Sequence, residues 1–370
     1  MTKANAYVKI NTDNLKHNYN IIKRLSGDKK IISIIKADSY GHGSVECMKI
    51  LSSLGCDFFA VANINEAVII REHNPTCNIL ILGFVDEDDI EYAVSNNFSM
   101  CLYSLNFAKK ADEISKKTNI PARLHIKINS GMNRLGFDPE KFGRTAKVLS
   151  TLKNISLEGI FSHFSTADEE DLKYTKMQYS VFLSCLDTLR KEGIDPKYVH
   201  IQNSAGICIS DKLDMPETTA VRPGIILYGL NPSDAVTGYG FRPVMSFYSR
   251  VVNIFSLKEG SAVSYGRKYI ADKERKAAVI SAGYADGYHR ALSNKAEVLI
   301  NKCRCPIIGN VCMDMMIVDI TDSENINIGD AAELFGENIL ADELAAKAGT
   351  INYELLCAVS KRVPRIYEGE

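Results

Sequence analysis

Residues 30–43 read KIISIIKADSYGHG. An apolar run of strand composition stops on Lys36, and a polar, glycine-containing loop begins at once. The run shows no alternation of polar and apolar residues, which is the pattern of a strand buried on both faces of a parallel sheet. A lysine closing such a strand has two readings. It marks the strand end and reaches solvent, or its amine is held half-buried, loses its proton readily and forms a Schiff base. The rest of the chain decides between them.

Similar runs recur: FFAVAN (58–63), NILILG (78–83), SMCLYS (99–104), ARLHIKIN (122–129), LEGIFSHF (157–164), KYVHIQNS (197–204) and AVRPGIILYGL (220–230). Between them lie helical segments such as SVECMKILSSLG, NEAVIIREH and EEDLKYTKMQYSVFLSCLDTLRKEG, the last with apolar residues at helical spacing. This alternation predicts an α/β fold: an N-terminal (β/α)8 TIM-type barrel. A doubly wound sheet is the alternative, weakened by the lack of a G-x-G-x-x-G after any strand. Beyond residue 240 the runs VMSFYSRVVNIFSL, KAAVISAG, AEVLINKCRCPIIG and DMMIVDI follow one another with short turns, which predicts a mainly antiparallel β C-terminal domain. The boundary falls in NPSDAVTGYGFRP (231–243), giving domains 1–237 and 238–370.

Composition narrows the function. The chain has 370 residues, 44 basic and 45 acidic, with formal net charge −1, which argues against nucleic acid or an anionic membrane as partner. No stretch has the length or apolarity of a membrane span, and the N-terminal residues lack the apolar core of a signal peptide, so a cytoplasmic location is expected. The ten cysteines are scattered without metal-ligand spacing, and reduced thiols with no metal site are expected.

Barrel enzymes carry their chemistry at the C-terminal ends of the strands. Lys36 ends the first run and Tyr40 lies just beyond it. Lys127 and Asn129 end the fifth, ahead of a loop carrying Arg134; His163 ends the sixth, Asn203 and Ser204 the seventh, and Arg222 sits in the eighth before Pro223 and Gly224. Each alone has an ordinary structural explanation: His163 a core imidazole, Ser204 a helix N-cap, Arg134 a surface ion pair. Together they make chemical sense. Lys36 can hold an aldehyde; Tyr40, Ser204 and the amides after Pro223-Gly224 can bind a phosphate; Arg134 offers a planar fork for a carboxylate. Aldehyde, phosphate and carboxylate specify pyridoxal 5'-phosphate with an amino acid.

The chain resembles the alanine racemases, pyridoxal phosphate enzymes of fold type III, essentially end to end. The resemblance rests on KADSYGHG (36–43), KINSGMNRLGF (127–137), SHFSTADE (162–169), QNSAG (202–206) and VRPGIILYG (221–229). In the second half it rests on VSYGRKY (263–269), GYADGY (283–288), GNVCMDMM (309–316) and TINYELLC (350–357). It implies a homodimer joined head to tail, with each site completed by the partner's second domain, and D-alanine made for peptidoglycan. It implies that Lys36 carries the cofactor and that Tyr265, from the other subunit, is the opposing base. Tyr40, Ser204, Gly224, Ile225 and Tyr353 would surround the phosphate. Arg222 would face the pyridine nitrogen, His163 would link Arg222 to Tyr265, and Arg134 with the backbone of Met313 would hold the substrate carboxylate. Lys127 matches a position that often carries a carbamate. One departure is Asn129, where the family motif usually has Asp.

These assignments imply racemisation by two bases on opposite faces of the substrate, Lys36 serving the D- and Tyr265 the L-enantiomer. A decarboxylase on the same architecture is the enzymatic rival, opposed by Arg222 where those enzymes place an acid. A cofactor-carrier protein is a rival of another class, opposed by the second domain with Tyr265 and Met313. A serine-preferring racemase is the rival within the family, opposed by Tyr353 crowding the pocket.

Overall fold

The computed structural model describes residues 4–369. They form two compact units. One comprises Lys16–Ser39 and Ser44–Phe241; the other takes the described residues of Met1–Leu15, Tyr40–Gly43 and Arg242–Glu370.

The first unit is a parallel barrel. A seven-stranded sheet runs from Ser33–Ile34 through Phe58–Val61, Asn78–Ile81, Ser99–Leu102, Ala122–Lys127 and Ile155–Phe161 to Tyr198–His200. The eighth strand, Ala220–Val221, closes it. Thr219 N–H donates to Val199 O at 2.9 Å and Arg222 N–H to Gln202 O at 3.0 Å on one side. On the other, Lys30 N–H bonds Thr219 O at 2.9 Å, Ile32 N–H bonds Val221 O at 2.9 Å, and Ile34 N–H bonds Pro223 O at 3.0 Å. Every residue of Phe58–Val61 and Ser99–Leu102 is buried, as expected of strands covered on both faces. Where AVRPGIILYGL reads as one strand, the structure keeps only Ala220–Val221. Proline has no N–H to continue the ladder, and beyond it Ile225–Tyr228 turn into a buried 3-10 helix.

The barrel interior is a column of rings. His125 stacks on Tyr198 at 5.7 Å, His200 stacks on Phe161 at 5.0 Å, and Phe58 meets Tyr198 edge-on at 5.2 Å. This filling is only possible because Gly159 has no side chain. A Cβ there would lie 2.2 Å from His125 Nδ1.

The second unit is a mostly antiparallel sheet built on one long strand, Met245–Leu257. Its first half pairs with Tyr7–Asn11 and Ala331–Phe335, its second half with Arg275–Ile280. The sequence reading counts residues 7–11 with the barrel; the structure places them in this sheet, antiparallel to Met245–Leu257 and parallel to Arg365–Glu368. Val8 and Ile10 are fully buried while their neighbours are not, the alternation of a sheet with one covered face. No helix among the described residues is long and apolar enough to cross a membrane.

Gly159→Ala should force the His125 ring out of its stack and destabilise the protein by about 1–3 kcal/mol, as expected for overpacking a closed core. Urea unfolding of the variant against wild type measures it, and an unchanged midpoint would refute this view of the interior.

Candidate active site

Lys36 opens a short turn, Lys36–Tyr40, of unusual hand. Ala37, Asp38 and Ser39 have φ of 52°, 53° and 54° with ψ near 47°, and Tyr40 follows at φ 53°. A left-handed turn of residues with side chains costs roughly 1–2 kcal/mol per residue, so it has to be held. Glu66 does this from the helix Ile64–His73: one carboxylate oxygen accepts from Ala37 N–H and the other from Ala62 N–H, both at 2.8 Å. Asp38 Oδ1 accepts from Ser44 N–H at 2.7 Å, and Ser39 N–H donates to Ile35 O at 3.0 Å. The half-buried Lys36 is thus presented from a fixed backbone at the carboxyl end of the first strand.

Arg222, just past the eighth strand, is buried, 3% exposed. Its Nη1 donates to His200 Nδ1 at 2.7 Å and His200 O at 2.9 Å. Its Nη2 donates to Ser162 O at 2.6 Å, His163 Nδ1 at 3.2 Å and Ile201 O at 3.2 Å. All these bonds leave from the two terminal nitrogens, so Nε–H is the donor these residues do not engage. Burial pulls the guanidinium below its ordinary pKa, yet it keeps its charge, as arginine does in proteins. That charge dictates the histidines. A ring nitrogen facing a guanidinium N–H must accept, so His163 and His200 are neutral and carry hydrogen on Nε2. Burial, and then Arg222, hold both well below the usual imidazole range. Lys127, Arg134 and Lys36 add to the pressure on His163.

Lys127 ends the fifth strand with its amine 4.4 Å from the Phe161 ring centre. Burial, followed by Arg222, lowers its pKa to about 7. A neutral amine is abundant there near neutral pH. The following loop carries Arg134, which is exposed. Asn129 organises the loop: its Oδ1 accepts from Asn133 N–H at 2.9 Å and Gly131 N–H at 3.3 Å, and its Nδ2 donates to Asn133 Oδ1 at 3.0 Å. The amide that stands in place of the family's usual acid is committed to this turn.

Ser204 and Gly224 meet directly, Gly224 N–H donating to Ser204 Oγ at 2.9 Å. The Gly224 amide is therefore engaged, and the Ser204 hydroxyl proton is left to donate outward. Ile225 opens the 3-10 helix Ile225–Tyr228, whose first amides have no partner within the helix. The donor set suits pyridoxal phosphate: an amine for its aldehyde carbon, a guanidinium N–H for its ring nitrogen, and a hydroxyl with a helix-start amide for its phosphate.

The β unit carries the remaining candidates. Tyr40 is 7% exposed and its ring lies 6.0 Å from that of Tyr353. Burial, then the neighbouring Tyr353, raises the Tyr40 pKa, so it is a phenol able to donate. Tyr265 and Met313 are both exposed, at 73% and 53%, and their backbones are tied to one surface. Asn310 Nδ2 donates to Tyr265 O at 2.7 Å, and Ser264 Oγ donates to Asn310 O at 2.7 Å. Ala285 N–H donates to Met313 O at 3.0 Å, an approach that needs Gly283, where a Cβ would sit 2.4 Å from that oxygen. Sequence reasoning did not single out Glu66, His125, Glu158 or His200. The two histidines left a signal, each standing in an otherwise apolar strand core.

A barrel with a strand-end lysine, a buried guanidinium and phosphate-suited donors, followed by an antiparallel β unit, is the pyridoxal phosphate enzyme architecture of fold type III. The model of the alanine racemase N-terminal domain matches residues 10–232 and that of the C-terminal domain residues 244–367. The chain is 42% identical to the alanine racemase of Methanococcus maripaludis over 98% of both. It superimposes on the alanine racemase of Clostridium difficile 630 with TM-score 0.93 at 39% identity, covering 100% of this chain and 97% of that one. The Bacillus anthracis alanine racemase, solved with bound L-Ala-P, gives TM-score 0.92 at 32% identity, covering 100% of this chain and 96% of that one. The chain belongs to the alanine racemase family, whose members depend on pyridoxal phosphate.

Lys127 makes a pH prediction. Its folded pKa lies below its unfolded one, so between about 7 and the ordinary lysine value the unfolded chain binds the extra proton and stability rises with pH. In carbon-dioxide-free buffer, Lys127→Met should be the more stable protein at pH 7, and the gap to wild type should close on raising pH through that window. Comparing the two by chemical unfolding removes the titration of thiols and phenols common to both. A gap that does not vary with pH would refute the assignment.

Proposed function

We propose that this protein interconverts L- and D-alanine using pyridoxal phosphate and two bases, Lys36 and Tyr265, and so supplies D-alanine for peptidoglycan in the cytoplasm. The observation that carries the reading is the pairing of a rigidly presented strand-end lysine with a guanidinium that locks its imidazole neighbours neutral. Lys36 would hold the cofactor. Ser204, Ile225, Tyr40 and Tyr353 would donate to its phosphate, with Gly224 holding Ser204 in place. Bound pyridoxal phosphate loosens the substrate's α-hydrogen by drawing off the electrons left behind.

The protein's part is to remove and return that hydrogen. A single base returns it to the face it came from, so inversion needs a second base on the other face. Tyrosine ordinarily titrates near 10, and a donor to its oxygen favours the phenolate. His163 is suited to that task, because acceptance at Nδ1 from Arg222 leaves its Nε2–H to donate. Arg222, unable to surrender a proton, would keep the ring nitrogen bare; this moderates the electron withdrawal and favours return of the proton over transamination. Arg134 and the Met313 backbone would take the substrate carboxylate. Lys127, with a neutral amine available, would accept carbon dioxide as a carbamate whose negative charge steadies Arg134.

Tyr265 and Met313 face outward from their own β unit, which fits a homodimer in which each completes the partner's site. On this reading residues 1–237 are the cofactor-binding half, and 238–370 supply the second base. Mixing the inactive variants Lys36→Ala and Tyr265→Phe should then restore part of the racemase activity, since a hybrid dimer holds one intact site. Confirmed subunit exchange without recovered activity would count against the shared site.

The two-base reading is tested on Tyr265→Ala. Wild type should racemise alanine, and the variant should lose this about 10²–10⁴-fold, the usual worth of a positioned base, while borohydride still fixes the cofactor onto Lys36. Exchange of the α-hydrogen with deuterated water should survive for D-alanine and nearly vanish for L-alanine. Equal exchange of both enantiomers in the folded, loaded variant would defeat the assignment.

A further inference from the structure

Behind His200, which accepts from Arg222, lie two ionisable groups that take no part in the chemistry above, His125 and Glu158. The three form one line. His200 Nε2 lies 2.8 Å from His125 Nδ1, and His125 Nε2 lies 3.1 Å from Glu158 Oε1. Both histidines are fully buried. Glu158 is also bonded by Ser99 Oγ on Oε1 and by Arg123 Nε on Oε2 at 2.9 Å.

The line has a direction. Arg222 donates to His200 Nδ1 at 2.7 Å, so the hydrogen of His200 is on Nε2 and is given to His125 Nδ1. His125 in turn carries its hydrogen on Nε2 and gives it to the carboxylate. Every donor points away from Arg222 and toward Glu158. A carboxylate only accepts, so it is the one group here that forces the direction from the far end.

We propose that His125 and Glu158 are positioning residues for Arg222, fixing through His200 the acceptor against which its guanidinium is aimed; this rests on Arg222 facing the cofactor ring. The consequence is sharpest for Glu158→Gln. The amide has one accepting end, and Arg123, a cation, draws that end to itself. The NH2 then faces His125 Nε2, which must accept. His125 switches to the Nδ1–H form, His200 follows, and His200 meets Arg222 donor against donor. In the double variant Arg123→Met/Glu158→Gln nothing draws the amide oxygen away, so it turns back to His125 and the original direction returns.

The test combines 15N spectra of histidine-labelled full-length protein, with and without pyridoxal phosphate, and alanine racemisation. In wild type His125 and His200 should both be neutral Nε2–H tautomers. In Glu158→Gln both should become Nδ1–H, and kcat should fall about tenfold, in keeping with one lost charge-assisted hydrogen bond. The double variant should regain the Nε2–H forms and most of kcat, a recovery that mere packing damage would not give. An Nδ1–H or doubly protonated ring in wild type overturns the proposal without any variant. So do unswitched tautomers in Glu158→Gln, a switch that leaves kcat untouched, or a double variant no more active than the single. Wild type without racemase activity would sink the functional reading instead, while the tautomers of the cofactor-free protein still decide the relay.

Discussion

One buried charge organises the barrel. Arg222 is almost wholly out of water, and removing one partner from such a group typically costs about 3–5 kcal/mol. The structure meets this with backbone carbonyls of Ser162, His200 and Ile201 and with two imidazoles. Those partners have little freedom left. Both imidazoles must be neutral acceptors, and Lys127, close by, is driven toward its neutral amine first by burial and then by the same guanidinium. Burial and this one guanidinium, in that order, hold His163, His200 and Lys127 toward their neutral forms.

The β unit solves a different problem. Two of its candidate groups, Tyr265 and Met313, are exposed, and their precision comes from the backbone rather than from burial. Arg362 clamps Asp286 and Asp314, each at 2.8 Å, and so ties GYADGY to the turn that carries Met313. Asp286 in turn accepts from Gly283 N–H at 2.9 Å, at the position where no Cβ fits. The barrel therefore holds charges whose states are fixed by burial, while the β unit holds a tyrosine and an amide whose positions are fixed by turns.

Much of this was legible in the sequence because buried parallel strands leave unbroken apolar runs, and because polar residues that end such runs stand out. Lys36, Lys127, His163 and Ser204 stand out in that way, and Arg222 stands out as a charge inside one. The allegiance of residues 7–11 was missed because alternation over five residues says that a strand has one covered face, not which sheet it joins. The 3-10 helix Ile225–Tyr228 has the composition of a strand because both are apolar when fully buried. Glu66 leaves a partial signal: Asn63 followed three residues later by Glu66 is the pattern of a helix start whose carboxylate serves backbone amides, but nothing in it says that the same carboxylate reaches Ala37. Histidines 125 and 200 were visible as exceptions, but their connection depends on which strands are neighbours across the barrel.

The left-handed turn after Lys36 shows why such features escape composition. Ala, Asp, Ser and Tyr have no shared preference for positive φ, and glycine, which does, first appears at Gly41. Together the four residues cost roughly 4–8 kcal/mol, more than local sequence can favour. The compensation is distributed: Glu66 from one helix, the Asp38 cap on Ser44, and the Ser39 bond back to Ile35. None of these would be needed to end a strand, since a loop of ordinary hand would do that at no cost. A strained backbone over-determined from several sides is the signature of a residue whose placement matters, and the residue that this turn places is the lysine.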